Sequence, residues 1–127
     1  MRLKYAVRNV GDVSVLDLDG PISPGKTIED RMVMHDLVNA QLKAGHNKIL
    51  LNLAEVSFID SSGVGDLIGA LRVVQSEGGQ LLICNASQRI ADLLYRTHLD
   101  SIMRCYNDEA SGIKALSGDG HETISAA

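Results

Sequence analysis

Tryptophan is absent from the 127 residues, phenylalanine occurs once and tyrosine three times. So few aromatic rings leave little surface on which single-stranded nucleic acid could stack. The 12 Lys and Arg are outnumbered by 16 Asp and Glu, for a formal net charge of -4, and no basic run occurs. The basic patch of a nucleic-acid binder is therefore missing, and no nucleic-acid partner is expected. Cysteine is scarce too: Cys84 and Cys105 form no CxxC pair and have no histidine at metal-ligand spacing. Each lies in or beside an apolar stretch, so both are expected to be reduced, buried thiols. No apolar run approaches the roughly 18 residues of a membrane span, so no membrane insertion is expected. Met1 to Tyr5 lacks the apolar core of a signal peptide, and a cytoplasmic location is the expectation.

What remains is an ordinary globular composition, 45% apolar and 22% charged, of a length for one domain. Leu3 to Asn9 and Val13 to Leu18 alternate as strands do, with Val10-Gly11-Asp12 as the turn of a hairpin. Val13 and Val15 share a face with Asp17, so the second alternation is partial. Gly20-Pro21-Ile22-Ser23-Pro24-Gly25 holds both prolines and reads as a loop. Thr27, with Asp30 in the box position, caps a predicted helix. That helix reaches about Lys43 through Ile28, Met32, Leu37, Val38 and Leu42, and Gly45 stops it. Lys48 to Leu53 is apolar without alternation, as a strand covered on both faces is, and Phe58-Ile59 is a second apolar burst.

From Val64 the apolar positions 64, 67, 68, 71 and 74 mark an amphipathic helix that Gly78-Gly79 ends. Leu81 to Cys84 is a further buried strand, and Ser87 caps a short helix through Ile90, Leu93 and Leu94. Ile102 to Tyr106 is a last strand. Asn107-Asp108-Glu109-Ala110 opens a last helix, with acids at its positive end. After residue 117 the composition buries little and predicts a frayed tail over 118–127. The order β-β-α-β-α-β-α-β-α implies an α/β fold: a central mixed sheet with an N-terminal antiparallel hairpin, later parallel strands and about four helices.

Asp60-Ser61-Ser62-Gly63 falls where a strand ends and a helix begins, the place where open α/β sheets form sites. A helix N-terminus offers unpaired N–H groups and partial positive charge to an anion, so a phosphate on a serine there is locally stabilised. Asp and Ser at a helix start are equally ordinary capping chemistry. Gly63, Gly65 and Gly69 thin the side chains over the first turns. They suit either the close approach of a partner or close helix–sheet packing.

Phe58-Ile59-Asp60-Ser61-Ser62-Gly63-Val64-Gly65, followed by Leu67-Ile68, resembles the signature segment of STAS domains, in particular bacterial anti-sigma factor antagonists. Lys48 to Leu53, Gly78-Gly79-Gln80-Leu81 and the stretch from Ile90 to Leu116 resemble the flanking parts of that family, and the likeness covers roughly residues 5 to 117. It implies a single STAS-like domain over 1–117. It also implies a regulatory protein, not an enzyme, that binds an anti-sigma factor which is itself a serine kinase, and so releases a sigma factor. Ser61 would be the phosphoacceptor, with Asp60, Ser62, Gly63 and Gly65 flanking it on the partner surface. Phosphorylation would switch binding off, and a PP2C-type phosphatase would restore it. The resemblance implies a monomer or weak homodimer, as relatives often are, and no cofactor. Many relatives have Gly-Glu, an aliphatic residue and Asp where this chain has Gly20-Pro21-Ile22-Ser23. The alternative is a STAS scaffold subunit of a stress-signalling complex or of a lipid-transport ABC system.

Other chemistries lack their residues. There is no G-x-S-x-G elbow, no Walker loop, and no third glycine after Gly63-Val64-Gly65. His35, His46, His98 and His121 are scattered, and Asp17 with Asp19, like Asp108 with Glu109, reads as solvated or helix-start charge rather than a metal site. A receiver domain would need an adjacent acidic pair after its first strand, and Asp17 and Asp19 are split by Leu18.

Overall fold

The computed structural model describes residues 3–23 and 28–117. The hairpin forms as the alternation predicts. Strand β1 (Lys4–Val10) pairs antiparallel with β2 (Val13–Ile22), Tyr5 opposite Leu18 and Val7 opposite Leu16. Gly11 makes the tight turn with a φ of 62°, a left-handed value that suits glycine. Helix α1 (Ile28–Lys43) leads to β3 (Lys48–Ile59), and α2 (Ser61–Ser76) to β4 (Gln80–Cys84). Helix α3 (Gln88–Arg96), a single 3-10 turn (Leu99–Ser101), β5 (Cys105–Tyr106) and α4 (Glu109–Leu116) complete the chain. The sheet order is β1-β2-β3-β4-β5, with β2 to β5 parallel.

The sheet is covered on both faces. Leu16, Leu18, Ile49, Leu51 and Leu53 pack with Leu37 and Val38 of α1, Leu67 and Leu71 of α2, and Ile90 and Leu94 of α3. Val13, Val15, Leu50, Leu82 and Cys84 pack with Leu116 of α4 on the other face. This explains the partial alternation of β2, because Val13 and Val15 lie under α4 while Leu16 and Leu18 lie under the other helices. Gly112 lets α4 close on the sheet; a Cβ there would stand 2.7 Å from Leu50 Cδ1.

Four expectations change. Gly20-Pro21-Ile22 is not loop: β2 continues through Ile22 beside β3, with a register shift between Gly20 and Pro21. Gly20 takes a φ of 108°, which makes the irregularity cheap. β1 pairs only as far as Asp19, so Pro21 stands on an edge, where a strand tolerates proline. Second, Lys48 to Ile59 is one strand rather than two bursts, and Phe58 on it is 45% exposed. Third, β5 has two residues, because the 3-10 turn takes up the preceding chain and leaves Ile102 exposed. Fourth, Cys84 is buried but Cys105 is exposed. The Thr27 cap, the Asp30, Ile28 and Met32 side chains and the 118–127 tail lie outside the described residues.

Candidate functional site

Asp60 stands between the end of β3 and the first turn of α2 and is the N-cap of that helix. Its Oδ1 accepts the Gly63 N–H at 2.7 Å, and its carbonyl accepts the Val64 N–H at 2.9 Å. Its own N–H donates to the Ile22 carbonyl at 3.4 Å, and its Oδ2 accepts the hydroxyl of Ser23. The capping reading of the turn therefore belongs to Asp60 and leaves both serines uninvolved. Ser61 and Ser62 are exposed, and among the described residues neither hydroxyl has a hydrogen-bond partner. As the first two helical residues, they also present N–H groups with no acceptor inside the helix.

The three glycines divide. Gly63 is buried, and a Cβ on it would stand 1.8 Å from the Ile22 carbonyl oxygen. It permits helix–strand contact. Gly65 and Gly69 are exposed, and a Cβ on either would meet nothing within 4 Å. Packing does not require them, although each costs roughly 1 kcal/mol of helix propensity against alanine. With Ser61 they fall four residues apart on one open helix stripe. A turn and a half past Asp60, burial and then the Asp60 charge push the Asp66 carboxyl up.

Phe58, which opens the segment that resembles the family signature, and Ser23, from the loop that departs from the relatives, join this neighbourhood. Phe58 stands opposite Pro21, two residues before Asp60. Its exposure could not be read from an apolar residue in an apolar burst. Ser23 follows directly on the last residue of β2, and its contact with Asp60 could not be read from either segment.

Arg8, Asp17, Glu109, Asn52 and Asn85 form a separate ladder on the α4 face. Arg8 donates through Nε and Nη2 to Asp17 at 2.6 and 2.9 Å, and through Nη2 to Glu109 at 2.6 Å. Asn52 donates to Asp17 at 2.7 Å and Asn85 to Asn52 at 3.0 Å. Asp17, expected as solvated charge, is thus a half-buried tie between β1, β2, β3 and α4. Beneath it, burial, then Glu109 and Asp17, push the Cys84 thiol up to about 12. Among the described residues no group of three His, Cys, Asp or Glu could hold a metal ion, and no helix is long and apolar enough to cross a membrane.

This architecture, with its capped turn at the end of β3, has a known counterpart. Residues 4–112 match the family model described as the STAS domain. The chain belongs to the STAS domain family. The STAS chain is 34% identical over 77 residues, 61% of itself and 68% of the relative, to a candidate anti-sigma factor antagonist homologue from Thermotoga neapolitana. It is 26% identical over 91% of itself to an anti-sigma F factor antagonist from Paenibacillus polymyxa, covering 97% of that protein. It superposes on the crystal structure of a candidate anti-sigma factor antagonist from Thermotoga maritima with a TM-score of 0.73 at 25% identity, covering 88% of this chain and 93% of that one. The expected fold class, a mixed sheet with an antiparallel N-terminal hairpin and four helices, is the fold of this STAS domain.

Proposed function

We propose that this STAS domain is an anti-sigma factor antagonist: it binds an anti-sigma factor that is also a serine kinase, and phosphorylation of Ser61 ends that binding. The observation that carries the reading is the division of labour in the turn. Asp60 performs the capping, so the Ser61 hydroxyl is exposed and, among the described residues, unengaged at a helix N-terminus. An acceptor hydroxyl must be reachable, and its phosphate must be tolerated by the fold. The free N–H groups of the first turn favour an anion there. The names of the relatives from Thermotoga neapolitana and Paenibacillus polymyxa support the partner class.

The switch acts at an interface. A phosphate brings about -1.5 to -2 charges at pH 7. Placed beside Asp60 and inside a partner footprint over Ser61, Ser62, Gly65 and the edge set by Gly63, it must be desolvated on binding. A loss of about 2.7 kcal/mol already lowers affinity a hundredfold. A PP2C-type phosphatase would reset the site, and the cycle would run in the cytoplasm on a monomer or weak homodimer without a cofactor.

The test is a titration of the kinase partner with Ser61→Ala and Ser61→Asp. Ser61→Ala binds as the unmodified protein does and resists phosphorylation; Ser61→Asp binds at least tenfold more weakly. Equal binding by both removes Ser61 as the switch. One observation favours a second reading, a STAS scaffold subunit of a stress-signalling complex or lipid-transport ABC system. Pro21, Ile22 and Ser23 present no acidic side chain beside the turn. Co-purification with a large particle or an ATPase subunit, in place of a soluble kinase, would select it.

A further inference from the structure

Three contacts fasten the end of β2 to the start of α2. The Asp60 N–H donates to the Ile22 carbonyl, and Gly63 presses its bare Cα against that same carbonyl. The third contact is made by a side chain: the Ser23 hydroxyl donates to Asp60 Oδ2. Because Oδ1 is held by the Gly63 N–H, both oxygens of Asp60 have fixed donors, one from α2 and one from β2's end. The carboxylate is therefore aimed at Ser23 and Gly63, and among the described residues it makes no bond to the Ser61 hydroxyl beside it.

We infer that Ser23 is a positioning residue: it holds Asp60, and through Asp60 it carries the phosphorylation state of Ser61 to the end of β2. The inference rests on Ser61 being the acceptor. The physical link is charge. A phosphate on Ser61 lies one residue from the Asp60 carboxylate, whose field already reaches Asp66 a turn and a half away. Like charges repel, and in a half-buried turn solvent screens them incompletely. The phosphate also competes for the α2 N–H groups that Asp60 uses. Both effects work against the two bonds of the Asp60 carboxylate, and of these two the one with an end outside α2 is the bond to Ser23. Hydrogen bonds to a charged acceptor are among the stronger ones, so this bond can transmit the change.

The experiment uses the full chain with phosphoserine installed at position 61 during translation, so that no kinase or partner is needed. Unmodified and phosphorylated chains are compared in three backgrounds: Ser23, Ser23→Ala and Ser23→Thr. Amide hydrogen exchange at Asp60 and Gly63, and amide shifts at Ile22 and Ser23, are read by NMR. In the unmodified chain Ser23→Ala raises Gly63 exchange about tenfold, the scale of one charge-assisted bond, while Ser23→Thr restores protection. Phosphate shifts the Ile22 amide in the Ser23 and Thr backgrounds and has little effect on it in the Ala background. Phosphate shifts that stop at Asp60 in every background, or Gly63 exchange indifferent to Ser23→Ala, would overturn the inference. If Ser23→Ala unfolds, the Thr comparison with and without phosphate carries the same decision. Because the phosphate is installed directly, failure here is separable from failure to find a kinase that acts on Ser61.

Discussion

Gly63 of α2 lies against the carbonyl of Ile22 in β2, so close that a methyl group at Gly63 would stand 1.8 Å from that oxygen. Neither side can yield cheaply, because the oxygen is backbone and a Cβ is fixed rigidly to the backbone of α2. Gly63→Ala is expected to destabilise the domain by at least about 3 kcal/mol. Gly65→Ala and Gly69→Ala should each stabilise it by up to about 1 kcal/mol, since their Cβ positions are open. Urea denaturation of the three variants reads the contrast. Equal destabilisation by all three would show that the glycines share one role.

The titration of Ser61→Ala and Ser61→Asp against the anti-sigma kinase carries a stability control. Both variants are expected to melt within about 1 kcal/mol of the unmodified protein, because Asp60 rather than Ser61 caps α2. A Ser61→Asp variant that lost binding by unfolding would contradict an interface switch.

Acid should act on two carboxyls in opposite senses. Hydrogen bonds from Arg8 hold the Asp17 carboxyl below its ordinary value of 3.8. A depressed folded value means that the ion pair's contribution is complete above the unfolded value and is lost as pH falls through the folded one. Arg8→Leu should therefore flatten the loss of stability below about pH 4 and cost no more than about 1 kcal/mol at neutral pH, because the pair is partly exposed. The Asp66 carboxyl is pushed up, by burial first and then by Asp60. Its ionisation costs stability as pH rises through the raised folded value. Asp66→Asn should stabilise the domain at pH 7 by about 0.5 kcal/mol after screening, with the gain vanishing in acid. Denaturation profiles across this range would show both slopes.

The two thiols should behave differently. Burial, then Asp100, pushes the Cys105 thiol up too, but Cys105 is exposed, whereas Cys84 is buried and its thiol is pushed up to about 12. Only thiolate reacts, so iodoacetamide at about pH 8 should add one label to the native chain and two after denaturation. Oxidation should give no internal disulfide: Cys84 pairs with Tyr106 and Cys105 with Ile83, which puts the thiols on opposite faces of neighbouring strands. Intact-mass measurement reads both outcomes.

Local rules made much of this fold legible. Asp60, Ser87 and Asp108 can be read as caps because each is a short polar side chain before an apolar-periodic run, and each accepts an N–H three residues on. The unalternating apolar runs at Lys48 and Leu81 mark doubly covered strands for a similarly local reason. What stayed hidden depends on neighbours. Pro21 argues for a loop unless β1 is known to stop at Asp19. Cys105 and Ile102 look buried until the 3-10 turn at Leu99–Ser101 displaces the chain that would have lengthened β5. At the site, Ser61 and Asp60 stand out through their place before a helix. The contact between Ser23 and Asp60 joins positions 37 apart and has no signature in either segment.

Strand β3 pairs with β4 only from Lys48 to Asn52, yet follows β2 to its last residue. The segment that delivers Asp60 and Ser61 is thus a two-strand prong reaching past the rest of the sheet. Ile22, Val56 and Ile59 root the prong in the main core, so only substitutions at its exposed positions need little accommodation in the two packed layers below. The exposed residues Asp19, Ala54, Glu55, Ser57 and Phe58 can accordingly diversify together as one cassette. Such a module can change its choice of partner by rewriting two adjacent strand ends while every helix stays where it is.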